Sequence, residues 1–223
     1  MFMTNNSSKS VDKYIEKLAG MGICATKEDF VTSVHVTIEY LKKKSYKKIY
    51  AFGTEAFKSQ LREAGLPITD KLEDGIDCLC MAFDTELTFR KLEDACILLG
   101  RGIDYVATNT DWVCPTEYGF VPDCGSISKI LCEATRRMPE FMGKPKPDMA
   151  YLAMKLTGFN KNETAVVGDR IYTDIACGVN SGIKTALVLS GETSLEDLEK
   201  SPIKPDFVFC DIKEIYNILS SEK

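Results

Sequence analysis

A regular alternation of short apolar segments with amphipathic segments of helical period most constrains the fold of this chain. Residues 48–52, 77–83 and 164–167 are dominated by apolar side chains, and each run is followed by a segment with apolar residues three and four positions apart. Strands that alternate with helices at this spacing are typical of a parallel sheet covered by helices on both faces. We therefore predict the α/β class, with a doubly wound parallel sheet.

Composition argues against several classes of function. No apolar run approaches the ~18 residues of a membrane span, and the polar residues 5–8 leave no signal-peptide core near the start. The net charge of −5 argues against nucleic acid as the main partner, because phosphate backbones favour a basic surface. Nine scattered cysteines without a Cys-x-x-Cys pair predict reduced thiols rather than a zinc site. We expect a soluble, cytoplasmic protein with neither a membrane nor a nucleic acid as partner.

The single histidine narrows the chemistry further. His35 lies in the apolar pattern of Val34, Val36 and Ile38, which is typical of a structural histidine. A Ser-His-Asp or Cys-His enzyme would have to use this residue, so the sequence disfavours both mechanisms.

Two carboxylates mark the most specific segment. Val166 and Val167 form a predicted buried strand, Gly168 permits a tight exit, and Asp169 stands at the strand tip, five residues before Asp174. In open α/β sheets, ligand sites form beyond the carboxyl ends of the strands. Carboxylate oxygens placed this way suit Mg²⁺, and the free N–H groups of the following helix suit an anion. Alternatively, both carboxylates merely complement the helix dipole.

Two further strand ends carry polar residues. Gly143 and Pro145 restrict the backbone on either side of Lys144, whose ammonium group suits a phosphate. Thr4, followed by Asn5 and Asn6, offers a hydroxyl and backbone donors. Taken singly, Lys144 is typical of an exposed loop lysine, and the Thr4 segment of a turn and cap.

The combination of these segments resembles the haloacid dehalogenase superfamily of phosphotransfer enzymes, and within it the NagD-like branch (subclass IIA, 4-nitrophenylphosphatase-like). The likeness extends from residue 2 to about residue 219. The segments that carry it are Phe2-Met3-Thr4-Asn5-Asn6-Ser7-Ser8-Lys9-Ser10, Ala107-Thr108-Asn109, Pro122-Asp123-Cys124-Gly125-Ser126, Gly143-Lys144-Pro145, Val167-Gly168-Asp169-Arg170, Thr173-Asp174-Ile175 and Leu187-Val188-Leu189-Ser190-Gly191-Glu192-Thr193.

The resemblance implies roles for individual residues. Thr4 and Asn5 would bind the transferring phosphoryl group, and Lys144 would neutralise its charge, so Thr4 and Lys144 are the predicted catalytic residues. Asp169 would bind Mg²⁺ directly, and Asp174 would hold the water shell of the metal. The predicted substrate loop consists of Arg170, Ile171, Tyr172 and Thr173.

The resemblance also implies a division into domains. Residues 1–44 and 142–223 would form the core, and residues 45–141 an inserted α/β cap that chooses the substrate. The predicted cap specificity residues are Asn109, Asp111, Asp123, Cys124, Gly125 and Ser126. Enzymes of this type also form homodimers through the cap, so a homodimer is open for this chain.

One part of the family pattern has no match in the 223 residues. The pattern begins with a strand that ends in Asp-x-Asp-Gly-Thr, whose first Asp is the nucleophile and whose second is the general acid and base. Asp84-Thr85-Glu86 follows a strand, but it lies inside the predicted cap. We therefore expect the N-terminal central strand to be absent from this chain, and the chain to be a truncated or mis-started, catalytically impaired version of a complete enzyme.

The leading functional hypothesis is a Mg²⁺-dependent phosphomonoester hydrolase that acts on a small phosphorylated metabolite through an aspartyl-phosphate. The alternative is a non-catalytic remnant that binds phosphate and Mg²⁺. A nucleotide-cofactor protein of Rossmann type is a third hypothesis, which the absence of Gly-x-Gly-x-x-Gly and of a Walker-type motif disfavours.

Overall fold

The computed structural model describes residues 1–221, and the chain divides into two units, Met1–Gly143 and Lys144–Lys223. The first unit contains the strands β1 (Phe2–Thr4), β2 (Phe30–Thr32), β3 (Ile49–Phe52), β4 (Ile68–Thr69), β5 (Cys78–Met81), β6 (Asp104–Ala107), β7 (Val113–Thr116), β8 (Gly119–Pro122) and β9 (Glu140–Phe141). Its helices are α1 (Val11–Ala19), α2 (Ser33–Lys44), α3 (Glu55–Glu63), α4 (Phe89–Gly100) and α5 (Cys124–Thr135).

The first unit contains two parallel sheets and a hairpin. Strands β1 and β2 pair in parallel, with Thr4 opposite Thr32. A five-stranded parallel sheet has the order β4-β3-β5-β6-β9, and β7 and β8 form an antiparallel hairpin. The main core lies on the five-stranded sheet, where fully buried Phe52, Leu79 and Leu131 pack with α4 and α5. This sheet falls within residues 45–141, and the division into core and cap domains stays a prediction.

The second unit contains α6 (Asp148–Thr157), β10 (Ala165–Gly168), a π-helical turn (Ile171–Ile175), α7 (Ala176–Ser181), β11 (Lys184–Val188), α8 (Leu195–Lys200), β12 (Phe207–Phe209) and α9 (Ile212–Ser221). Its sheet has the order β10-β11-β12, and both pairings are parallel. Ile171, Ile175 and Leu187 form its buried cluster, so the π-helical turn is anchored on the sheet through its apolar side chains.

The predicted α/β class with parallel sheets is confirmed, although some elements differ from the prediction. Helix α5 begins at Cys124, because the Asp123 carboxylate accepts a hydrogen bond from the Cys124 N–H and caps the helix. The hairpin β7–β8 was not predicted, since each strand has only four residues and Pro115 interrupts the apolar pattern. The short helix α8 was also missed, although Ser194 and Asp197 form a capping box at its start.

His35 has the structural role that the sequence predicts. Its backbone N–H donates to Thr32 Oγ1, while its Nδ1 accepts from the Thr32 N–H, both at 3.3 Å, so the pair caps α2. Burial lowers the pKa of His35, which favours the neutral ring that this acceptor role requires.

The structure also shows the state of the cysteines and the lengths of the helices. All nine cysteines are free, and Cys78, Cys80, Cys124 and Cys177 are buried. Within residues 1–221, no helix combines the length and the apolar character needed to cross a lipid bilayer.

Candidate active site

The loop after β1 is tightly folded by its own side chains. Thr4 Oγ1 accepts from the Asn6 N–H at 3.2 Å. Asn6 Oδ1 in turn accepts from both the backbone N–H and the hydroxyl of Ser8, at 3.0 and 2.8 Å. Side-chain turns of this kind fix a loop without a regular element. The turn that the sequence left as an alternative is therefore present, and it holds Thr4 and Asn6 in defined positions.

Asn5 is the buried centre of this loop, with 4% of its surface exposed. Its carbonyl oxygen accepts from Ser33 Oγ at 2.7 Å and from Asn109 Nδ2 at 2.6 Å. Its own Nδ2 donates to Asp111 Oδ1 at 2.9 Å. Gly143 is required beside it, because a Cβ at that position would lie 2.5 Å from Asn5 Oδ1. The structure thus brings Asn5 into contact with Asn109 and Asp111, which were predicted from a different segment.

Three more hydrogen bonds fix the rest of the loop, and no pattern in the sequence predicts them. Ser7 Oγ contacts Thr108 Oγ1 at 2.8 Å and accepts from the Phe83 N–H at 2.9 Å. Thr54 Oγ1 donates to the Ser8 carbonyl at 2.9 Å. These partners come from strand ends 46 to 101 residues away in sequence, so only the tertiary fold identifies them.

The predicted specificity segment 123–126 is engaged in local packing. Asp123 caps α5, and Cys124 is fully buried, which raises the pKa of its thiol to about 12. Gly125 allows close approach of the 110–111 backbone, since a Cβ there would lie 2.4 Å from the Thr110 carbonyl oxygen. Ser126 Oγ donates to the carbonyl of residue 112 at 2.5 Å. A role of these residues in substrate choice stays a prediction.

In the second unit, Asp174 forms a buried ion pair with Lys144. Lys144 Nζ lies 2.5 Å from Asp174 Oδ1, and the two side chains are 9% and 11% exposed. The Arg170 N–H donates to the other oxygen, Oδ2, at 3.1 Å. Gly168 leaves room for this carboxylate, because a Cβ there would lie 2.3 Å from Asp174 Cβ. Two of the residues predicted for one site are therefore in direct contact.

Asp169 is oriented by the loop that follows β11. Its Oδ2 accepts from the Glu192 N–H at 2.8 Å, and its carbonyl oxygen accepts from the Thr193 N–H at 3.2 Å. A Cβ at Gly191 would lie 2.1 Å from Asp169 Oδ2, so only glycine fits there. Asp169 itself is half-buried at the end of β10.

The predicted substrate loop 170–173 combines exposed and buried side chains. Glu192 pairs with Arg170 Nε at 2.6 Å and accepts from the Tyr172 hydroxyl at 2.7 Å. Ile171 and Thr173 are buried, and Ile171 packs in the apolar cluster of its unit. Glu192 was noted in the sequence only as part of a family-like segment, and its carboxylate now accounts for the orientation of two predicted residues.

The donor set fits a hard divalent cation held by few protein ligands. Mg²⁺ binds through one or two carboxylates and keeps several waters or phosphate oxygens. Asp169 and Asp174 supply two carboxylates, with Lys144 as a compensating cation. Over residues 1–221, no group of three or more His, Cys, Asp or Glu side chains is placed to hold a metal ion.

Comparisons with known proteins identify the family of the chain. Residues 1–67 match the family of haloacid dehalogenase-like hydrolases, and residues 141–215 match a second HAD-hydrolase-like family. An acid sugar phosphatase of Staphylococcus aureus (strain MRSA252) is 35% identical over 215 residues, which cover 96% of this chain and 82% of the relative.

Solved structures give the same assignment. A 4-nitrophenylphosphatase of Thermotoga maritima is 39% identical with a TM-score of 0.90, and the match covers 97% of this chain and 83% of that one. A putative nagD protein is 37% identical with a TM-score of 0.85, covering 99% and 84%. A glycerol phosphate phosphatase of Mycobacterium tuberculosis in complex with calcium is 30% identical with a TM-score of 0.90, covering 96% and 65%.

These likenesses extend over nearly the whole chain and include phosphatases in both sets of comparisons. The hypothesis of a Rossmann-type nucleotide-cofactor protein is therefore set aside. The chain belongs to the haloacid dehalogenase-like phosphatases, in their NagD-like branch.

Proposed function

We propose that the protein hydrolyses phosphate monoesters of small metabolites, with Mg²⁺ as its divalent cation. The observation that carries the proposal is the buried network at the end of β10, in which Lys144 and the Arg170 N–H both bind the Asp174 carboxylate beside Asp169. Burying a lysine with a carboxylate costs desolvation free energy, which the attraction between the two charges repays only when the geometry and hydrogen bonding are good. Such a pair is therefore often retained because it serves a function. In this family, compensation of a transferring phosphoryl group is such a function.

The chain's own residues would divide the work as follows. Asp169 would hold the cation directly and Asp174 through its water shell, while the bound cation would neutralise phosphate oxygens. Thr4, Asn5 and Lys144 would bind the phosphoryl group, with Lys144 as a compact positive charge. Support for these roles comes from the rigid Thr4–Ser8 turn and from the fixed carboxylate of Asp174. The homodimer stays a prediction, and nine free thiols support a reducing, cytoplasmic compartment.

The nucleophile is not assigned to any residue of this sequence. Family chemistry requires an aspartate that attacks phosphorus, and the 223 residues contain no Asp-x-Asp-Gly-Thr segment. The second candidate function is a protein that binds phosphate and Mg²⁺ without turnover.

Phosphate release separates the two functions. The 223-residue chain and a variant extended by an N-terminal strand ending in Asp-x-Asp-Gly-Thr would be assayed with 4-nitrophenyl phosphate and a panel of small phosphate esters, with and without Mg²⁺. We expect Mg²⁺-dependent turnover from the extended variant, lowered about 100-fold or more by Asp169→Asn, because a metal ligand stabilises the transition-state charge. Asp12→Asn on exposed α1 is the control. Phosphate binding without turnover in both chains would support the non-catalytic function.

A further inference from the structure

A cavity of about 650 Å³ lies within the first unit, beside the loop that follows β1. This volume is in the range of about 300–1,000 Å³ that holds small ligands in proteins. One end is formed by Asn6, Ser8 and Lys9, and the other walls come from the β5–α4 loop, the hairpin β7–β8 and α5. The cavity therefore extends from the predicted phosphate loop into residues that the sequence left without a role.

The walls of the cavity are largely apolar. Their apolar side chains are Phe83, Leu87, Pro115, Val121, Pro122 and Ile127. Tyr118, at the turn of the hairpin, adds a ring that is 84% exposed and so is available to a ligand at the rim. Two acidic residues line the cavity: Asp84 is buried and bound to Lys91 Nζ at 2.7 Å, and Glu117 is exposed at the turn of the hairpin. The Asp84 charge is compensated within the protein and Glu117 lies at the turn, so most of the remaining wall surface is apolar.

The end near β1 is rich in hydrogen-bond donors. Asn6 Nδ2 donates to Cys114 Sγ over 3.8 Å, which is a long contact. A phosphate or ester oxygen would accept a shorter and stronger hydrogen bond from this amide. The orientation of that amide is fixed, because Asn6 Oδ1 accepts twice from Ser8. Exposed Lys9 adds a positive charge at the same end. The cavity thus has an anion-binding end and an apolar body.

We propose that this cavity receives the alcohol part of the substrate and selects phosphate monoesters of ring-bearing, largely apolar alcohols over those of open-chain polyols. The inference rests on the proposed function, because it places the phosphate at the Asn6 end of the cavity. Apolar walls and an exposed ring favour a flat apolar group, whereas a polyol would lose hydrogen bonds to water on entering. Specificity would then depend on the hairpin and the β5–α4 loop.

Binding to the 223-residue chain tests the proposal by titration calorimetry with Mg²⁺ present. The probes are phenyl phosphate and glycerol 3-phosphate. We expect phenyl phosphate to bind about 10-fold more tightly, and Tyr118→Ala to weaken its binding about 5-fold while changing glycerol 3-phosphate by less than about 2-fold. The matched control is Phe120→Ala, an exposed aromatic residue of the same hairpin that does not line the cavity. It should leave both affinities unchanged.

A second variant distinguishes the loss of a cavity wall from a local change in the conformation of the hairpin turn. Leu87→Asn, in the β5–α4 loop, should also weaken phenyl phosphate selectively. If both esters bind and neither substitution changes their ratio, the cavity proposal is overturned while the proposed function stands. Equal or tighter binding of glycerol 3-phosphate to the unmodified chain overturns it as well. If neither ester binds, the proposed function fails together with the cavity proposal.

Discussion

The ion pair between Lys144 and Asp174 gives a quantitative test of how this site is built. Substituting Lys144 by Met keeps most of the side-chain volume and removes the charge. The Asp174 carboxylate, 11% exposed, then keeps the Arg170 N–H at 3.1 Å but loses the cation at 2.5 Å. We expect a large loss of stability, because a buried charge without its counter-ion is penalised by desolvation.

The magnitude follows from the burial of both partners. Breaking a buried pair costs about 3–5 kcal/mol, and a chain of this size loses about 2–4 °C in Tm for each kcal/mol. The expected decrease is therefore about 6–20 °C, measured by circular dichroism during thermal unfolding. The matched control is Lys184→Met, whose pair with Asp206 has the same 2.5 Å separation but is 63% and 32% exposed. Because water screens that pair, Tm should hardly change.

Two further measurements distinguish this explanation from a general packing defect. The double variant Lys144→Met with Asp174→Leu should recover much of the lost stability, because no unpaired charge remains. Mg²⁺ or Ca²⁺ should raise the Tm of Lys144→Met more than that of the unmodified chain, because the bare carboxylate attracts a cation. A decrease below about 2 °C in the single variant, or a double variant less stable than the single one, would refute the reasoning.

Two other predictions concern the neighbourhood of Asp169 and the cap of α2. Gly191→Ala would place a Cβ 2.1 Å from Asp169 Oδ2, so we expect the free energy of unfolding to fall by about 1–3 kcal/mol. Adding Mg²⁺ should then raise Tm by less than it does in the unmodified chain. The control for thermal unfolding is Gly100→Ala, where an added Cβ would have nothing within 4 Å. Burial lowers the pKa of His35 from its ordinary value of 6.5, so the imidazole binds a proton more readily in the unfolded chain than in the folded one. The free energy of unfolding should therefore fall as the pH decreases from about 7 to 5. Urea unfolding at several pH values should show a weaker dependence for His35→Gln, and an identical dependence would contradict the Thr32 capping geometry.

Most of the fold was predictable because local patterns and tertiary structure agree. Helix α3 directly follows the predicted strand at residues 48–52; Thr54 caps it, and its apolar face packs inwards. Strands such as β5 are uniformly buried, so an uninterrupted apolar run predicts them well. The hairpin β7–β8 was missed because its residues are half-buried or exposed and Pro115 disrupts the alternation, which leaves little periodic signal.

The residues of the candidate site were selected from the sequence one by one, but the contacts between them were not. Spacing and resemblance selected Lys144, Asp169 and Asp174, yet nothing in the sequence indicates that the Glu192 N–H orients Asp169 or that Lys144 pairs with Asp174. Such contacts depend on how loops that follow different strands pack together. Lys144 and Asp174 are 30 positions apart, and no local pattern in the segment between them encodes this hydrogen bond.

The hydrogen bonds around Asn5 restrict which residues can be substituted to change the substrate without disturbing the loop that follows β1. Asn109 and Asp111 were predicted to choose the substrate, and both bind Asn5, whose position in turn depends on Ser33. Removing any of these partners would leave a buried polar atom unsatisfied, at a cost of about 1–3 kcal/mol. Substitutions there would therefore disturb the predicted phosphate loop before they altered specificity. Exposed Tyr118 makes no such bond in the described structure, so the rim of the cavity can vary while the loop remains intact.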